Sequence, residues 1–216
     1  MNIKLLSAAV GIALSAAAFS ANAQKAYTEG CVTISTSMRG MNVQAKQYFT
    51  ADSSATLVTM GPANVKMLTD AGHKSFAVVL DVPVASMKKA GIATPDELDQ
   101  AMSSLPTFTF TPTAETKQIS GFNCKKVTAK DNKSGQSYDV WVTNDVTLPS
   151  TAIPFYYKDA GGVPIQYTAF QQGQGTSVTV TSITDEKAPK GTFFIPADYD
   201  KMTLEELQQQ GGGGNH

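Results

Sequence analysis

The sequence predicts an α+β protein, mainly β, built on antiparallel strands around one helical insert. Three observations predict it. Threonine and valine recur in short alternating runs separated by turn clusters, the pattern of half-buried strands. Successive runs lie close together in the chain, which suits hairpins rather than the long crossovers that parallel strands need. One central segment carries a full set of helix signals, and strand-like runs resume after it.

The first residues read as a targeting segment. Lys4 supplies a positive start, Leu5 to Phe19 is apolar or small, and Ala21-Asn22-Ala23 has the small-x-small form of a processing site. This predicts a signal peptide over residues 1–23, cleaved between Ala23 and Gln24, and a periplasmic or secreted protein. The apolar run is too short and too alanine-rich for a transmembrane anchor.

Strands are expected at Cys31–Met38, Asn42–Thr50, Ser53–Met60 and Val65–Thr69. A hairpin tip follows at Asp70-Ala71-Gly72-His73, then a strand over Ser75–Val82. Val84–Ala90 reads as a short helix ended by Gly91. Thr94 is an N-cap, Pro95 suits the first turn, and Glu97 completes a capping box. Leu98, Ala101, Met102 and Leu105 then share one helical face, which predicts packing against a sheet. Pro106 stops that helix.

Strands resume at Thr107–Thr111. The segment 121–145 forms a hairpin around a loop over Asp131–Gly135. A five-residue loop sets Lys126 opposite Val140, Lys125 opposite Trp141 and Cys124 opposite Val142. Lys125 then lies against the Trp141 ring. Segment 148–164 is a proline-rich loop with a short helical turn. Ile165–Gln171, Ser177–Ile183 and Thr192–Pro196 are further strands. Thr203 and Glu206 form a second capping box that opens a terminal helix, and the polar, glycine-rich residues 208–216 read as a disordered tail. No internal repeat or mid-chain linker is visible, so residues 24–207 form one domain.

The formal net charge is −1 and Arg39 is the one arginine, which argues against nucleic acid as a partner. Two histidines, His73 and His216, provide neither a catalytic triad nor a metal cluster. The carboxylates at 96–99 begin a helix, where they complement its dipole. No phosphate-binding or cofactor motif is present. No catalytic, cofactor or metal residue is therefore assigned, and the chain does not read as an enzyme. Cys31 and Cys124 are an even pair in an exported chain. They are either a disulfide, which over so long a loop contributes roughly 4–5 kcal/mol, or two separate buried thiols.

Ile119 to Val127, followed after a turn by Val140-Trp141-Val142-Thr143, resembles an uncharacterised family of secreted bacterial proteins, a domain of unknown function. Pro189 to Pro196, with Tyr199, Lys201 and Met202, is similar to that family's closing segment. The family in turn resembles the periplasmic lipoprotein-carrier (LolA-like) superfamily. That resemblance implies an open, strongly curved antiparallel sheet, a half-barrel, with a few helices against its concave side. It implies a cavity for a lipid or acyl chain. Met87, Leu98, Met102, Phe155, Tyr156 and Tyr157 are the expected lining, since methionine and aromatic side chains suit adaptable apolar surfaces. The alternative is a structural or interaction protein that offers a sheet edge or apolar patch to an envelope partner.

Overall fold

The computed structural model describes residues 24–38, 41–171 and 174–212. The expected signal peptide, Arg39 and His216 lie outside them. The strands are β1 (Lys25–Ala26), β2 (Gly30–Met38), β3 (Met41–Phe49), β4 (Ser53–Met60), β5 (Ala63–Asp70), β6 (Phe76–Val82), β7 (Met87–Ile92), β8 (Phe108–Ile119), β9 (Phe122–Asp131), β10 (Ser137–Thr143), β11 (Val146–Thr147), β12 (Val163–Gln171), β13 (Gln174–Thr184) and β14 (Asp200–Thr203). The helices are α1 (Pro95–Ser104) and α2 (Leu204–Gly212).

Twelve strands form one open sheet in the order β14-β7-β6-β5-β4-β3-β2-β13-β12-β10-β9-β8. Every neighbouring pair is antiparallel except β14 with β7. β1 and β11 make a separate parallel pair. The α+β, mainly β expectation holds, and the sheet does not close into a barrel.

Chain geometry requires the sheet to curve. β7 and β8 stand ten strand spacings apart in the sheet, about 48 Å if it were flat. The chain from Ile92 to Phe108 contains a ten-residue helix. With its flanking links, that connection reaches about 40 Å at most. The two edges must therefore approach, with α1 spanning the chord between them. The Thr94 capping box forms as expected: its hydroxyl accepts from the Glu97 amide, and its own amide donates to the Glu97 carboxylate. Glu97 also accepts from the Glu205 amide at the start of α2. At the other end Lys133, in the β9–β10 loop, donates to the Ser103 and Leu105 carbonyls. Both ends of α1 are tied, one to each side of the opening.

α2 lies on the side of β7 to which Gly91 points. A Cβ at Gly91 would sit 2.8 Å from Leu207 Cδ2 and 3.1 Å from Leu204 Cδ2. Because α1 and α2 meet, this is the inner, concave face. The second capping box is also present, with the Glu206 amide donating to Thr203 Oγ1. α2 continues to Gly212, into the segment expected to be a disordered tail.

Several local expectations are corrected. Residues 84–90 are not a helix: a single 3₁₀ turn over Pro83–Ala85 leads into strand β7. Pairing with β6 on one side and β14 on the other outweighs the helical propensity of Met-Lys-Lys-Ala. Residues 192–196 are not a strand; the strand near that end is β14. β8 runs to Ile119, well past Thr111. Its register shifts between Pro112 and Thr116, which breaks the sequence alternation. It turns into β9 through Ser120 (φ 51°) and Gly121 (φ 87°), a two-residue turn with both central residues left-handed.

The β9–β10 register is also one residue away from expectation. Val140 pairs with Val127, Trp141 with Lys126 and Cys124 with Thr143. The loop takes in Gln136, whose carbonyl accepts from the Asp131 amide at 2.8 Å. The Asp131 carboxylate accepts from Ser134 Oγ at 2.6 Å and from the Lys133 and Ser134 amides. These bonds hold its carboxyl below the usual carboxylate range, the Ser134 hydroxyl most of all.

Candidate functional site

Register assigns each residue of β2–β7 to a face. One inner-face rung crosses six strands as Ile34–Ala45–Val58–Val65–Leu80–Lys89. The next is Val32–Gln47–Thr56–Met67–Val78–Gly91. The opposite, outer face is partly apolar too, with Cys31, Tyr48, Ala55, Ala77, Val79 and Ala90 buried. Yet Ile34, Ala45, Val65, Met67, Val78 and Leu80 are only half-buried, and only Val32, Val58 and Gly91 in these rungs are buried. The inner face of this half of the sheet is an apolar floor left partly open.

The other half is filled. Val127, Ala129, Val140, Ile165, Tyr167, Val178 and Val180 form its buried core. Tyr157 is fully buried, stacked on Phe108 at 5.3 Å between ring centroids, and its hydroxyl donates to the Thr168 carbonyl at 2.8 Å. Burial pushes the Tyr157 and Tyr167 hydroxyls well above the ordinary phenol range, so both stay protonated. Tyr156 packs against Tyr157 and Phe170, and its oxygen accepts from the Phe170 amide at 3.1 Å.

Loop 148–162 joins the two halves across the inner side. Thr151 donates to the Thr50 carbonyl at the β3–β4 turn, and Gln47 donates to the Thr151 carbonyl. Phe155 meets His73 of the β5–β6 turn edge-on, with ring centroids 5.0 Å apart. The open floor thus has a wall at the end where these turns lie.

The six residues expected to line a cavity do not act as one set. Tyr156 and Tyr157 belong to the packed aromatic cluster and pin their loop to the core. Phe155 points away from it, 39% exposed. Met87 lies on β7 rather than on a helix. Leu98 and Met102 are half-buried on α1. The floor residues were missed because an alternating strand announces an apolar face, not whether that face is covered.

Cys31 and Cys124 are both free and both buried, at 1% exposure each. The disulfide alternative is corrected. β2 and β9 stand four strand spacings apart, about 19 Å, whereas a bridge needs Cα atoms within about 7 Å. Burial raises both thiols, Cys124 to about 11.

The outer face of β2–β7 carries a strap, residues 185–199, between β13 and β14. Tyr48 donates to Glu186 at 2.6 Å, and Lys46 bonds the same carboxylate at 2.9 Å. Lys66 donates to the Gly191 and Phe194 carbonyls, and Lys88 pairs with Asp198 at 2.6 Å. Two clefts flank the crossing. One of about 370 Å³ lies beside Phe193–Ile195. The other, about 460 Å³, is lined by Lys46, Leu57, Lys66, Val79, Asp81 and Tyr199. Both have mixed polar and apolar walls.

Among the described residues no group of three or more His, Cys, Asp or Glu side chains is placed to hold a metal ion, and no helix is long and apolar enough to cross a membrane. Every buried side-chain nitrogen or oxygen among them has a hydrogen-bond partner.

The sequence matches no protein-family model and no curated protein. Among solved structures it is similar to PNGF-II in a C2 crystal form, at 15% identity and a TM-score of 0.47, over 85% of this chain and 32% of that one. The P21 form is similar at 14% identity and a TM-score of 0.48, over 85% and 33% of the two chains. The chain therefore spans about a third of the length of PNGF-II.

Proposed function

We propose that this is an exported, non-enzymatic protein that binds or carries an apolar ligand, a lipid or acyl chain, on the inner face of its sheet. In this reading residues 1–23 are the export signal and the chain is kin to the lipoprotein-carrier superfamily. The observation that carries it is the rung Ile34–Ala45–Val58–Val65–Leu80, apolar across five strands, with Val58 buried and the other four half-buried. A ligand covering about 200 Å² of that floor would gain roughly 5 kcal/mol from burial, before association costs.

The envelope-partner alternative has weaker support. β8 is a sheet edge, but Pro112, the register shift after it and the exposed Lys117 all discourage addition of another strand.

The test is uptake of a fluorescent fatty acid by the mature protein, with native mass spectrometry of the exported material. Saturable uptake, abolished by Leu80→Asp with the fold retained, supports the reading. A protein that purifies empty and takes up no apolar probe overturns it.

A further inference from the structure

The floor has one charged side chain. Reading the register across β2–β7, every inner-face position is apolar, a neutral polar residue or glycine, except Lys89. Lys89 pairs directly with Leu80 in the β6–β7 ladder and so ends the apolar rung one strand in from the sheet's edge. It is half-buried. Its ammonium donates to Gln210 Oε1 of α2, a neutral carboxamide. None of the ion pairs among the described residues involves it. Asp200 is its ladder neighbour on β14, exposed at the sheet's margin and not bonded to it.

Three other strand lysines are instead neutralised by carboxylates. Lys46 holds Glu186, Lys88 holds Asp198, and Lys126 holds both Glu115 and Asp139. A lysine at the end of an apolar strip, with only a neutral acceptor, retains capacity for a second, anionic one: an ammonium has three donors. It also lies away from the β5–β6 turn, where loop 148–162 walls off the floor.

Resting on the ligand reading above, we propose that the ligand is an anionic single-headed amphiphile. Its tail lies along Ile34–Ala45–Val58–Val65–Leu80, and its carboxylate or phosphate bonds Lys89. Charge-assisted bonds in a partly dry setting are stronger than neutral ones, so the head adds selectivity to the tail's non-directional burial.

The experiment is competition against a bound fluorescent fatty acid by three probes of equal chain length: palmitate, hexadecanol and hexadecyl phosphate. The wild-type protein should bind a charged probe about tenfold more tightly than the alcohol. Tighter binding of palmitate would identify a fatty acid, and of hexadecyl phosphate a phosphate-headed lipid. Lys89→Gln should erase the preference while leaving hexadecanol affinity unchanged, and Lys89→Arg should keep it. A purely structural lysine that steadies α2 would shift all three probes together. Equal binding of acid and alcohol by the wild type overturns the assignment of Lys89 and leaves the apolar site standing, as does a preference that survives in Lys89→Gln. Failure of all three probes to bind overturns both readings. If Lys89→Gln does not fold, Lys89→Met in the same competition replaces it, and equal binding by the wild type overturns the assignment without either variant.

Discussion

The ammonium of Lys117 lies 4.0 Å from the centroid of the Trp141 ring. The two residues sit on β8 and β10, with β9 between them, and Lys117 also donates to Gln166 of β12 at 2.9 Å. The only tryptophan is therefore covered from a strand that sequence spacing did not connect to it. Lys117→Met should cost about 0.5–1 kcal/mol at this exposed site and shift the tryptophan emission. Lys125→Met should leave that emission unchanged, because Lys125 pairs with Val142. Equal spectral responses from the two variants would contradict the observed register.

The thiols should be silent in the native state. With Cys124 at about 11, roughly one thiol in a thousand is ionised at pH 8, and burial hides even that fraction. Alkylation without reductant should leave the folded protein unlabelled and add two groups after unfolding. A mass that gains labels only after reduction would reveal a disulfide instead.

Gly91 sets how closely α2 approaches β7. Its backbone is ordinary, so an alanine there meets no conformational penalty and acts only through contact with Leu207 and Leu204. Gly91→Ala should destabilise by about 1–3 kcal/mol through overpacking. Amide exchange should quicken over α2 and not over β9 or β10. Uniform quickening would mean that α2 is not a separately docked element.

The strap should loosen in acid. Hydrogen bonds from Tyr48, then Lys46, hold the Glu186 carboxyl below its ordinary 4.5. A depressed carboxyl contributes stability that is fully present above its unfolded value and is lost as pH falls through its folded one. Glu186→Gln should thus be less stable than wild type at pH 7. The gap should close as pH falls below about 4, read by denaturant unfolding at each pH. A gap that persists at pH 3 would assign the strap's anchoring to other contacts.

Much of the chain was legible because local rules suffice there. The strands from Gly30 to Met60 follow from alternation, and both helix starts follow from capping boxes whose partners lie three residues apart. The β9–β10 loop was placed correctly but counted one residue short. Turn composition marks where a loop is, whereas its length here depends on the Asp131 carboxylate folding back on Ser134. β7 was misread because its partners, β6 and β14, lie on either side of it in space and no local signal reports them. β8 was truncated because the irregularity after Pro112 looks like an end.

The sequence by itself determined the class of the fold, the positions of most strands and both capped helices, since each depends on residues within a few positions of one another. It also marked which residues of each strand are apolar. Only the tertiary structure decided that Cys31 and Cys124 are too far apart to bridge, that Phe155 and Tyr157 face opposite ways, and that α1 spans two sheet edges. It alone showed that the inner face of β2–β7 is left half-open while that of β8–β13 is packed. The physical reason is common to all four. Alternation specifies that a face is apolar, but what covers that face comes from chain segments tens to hundreds of residues away.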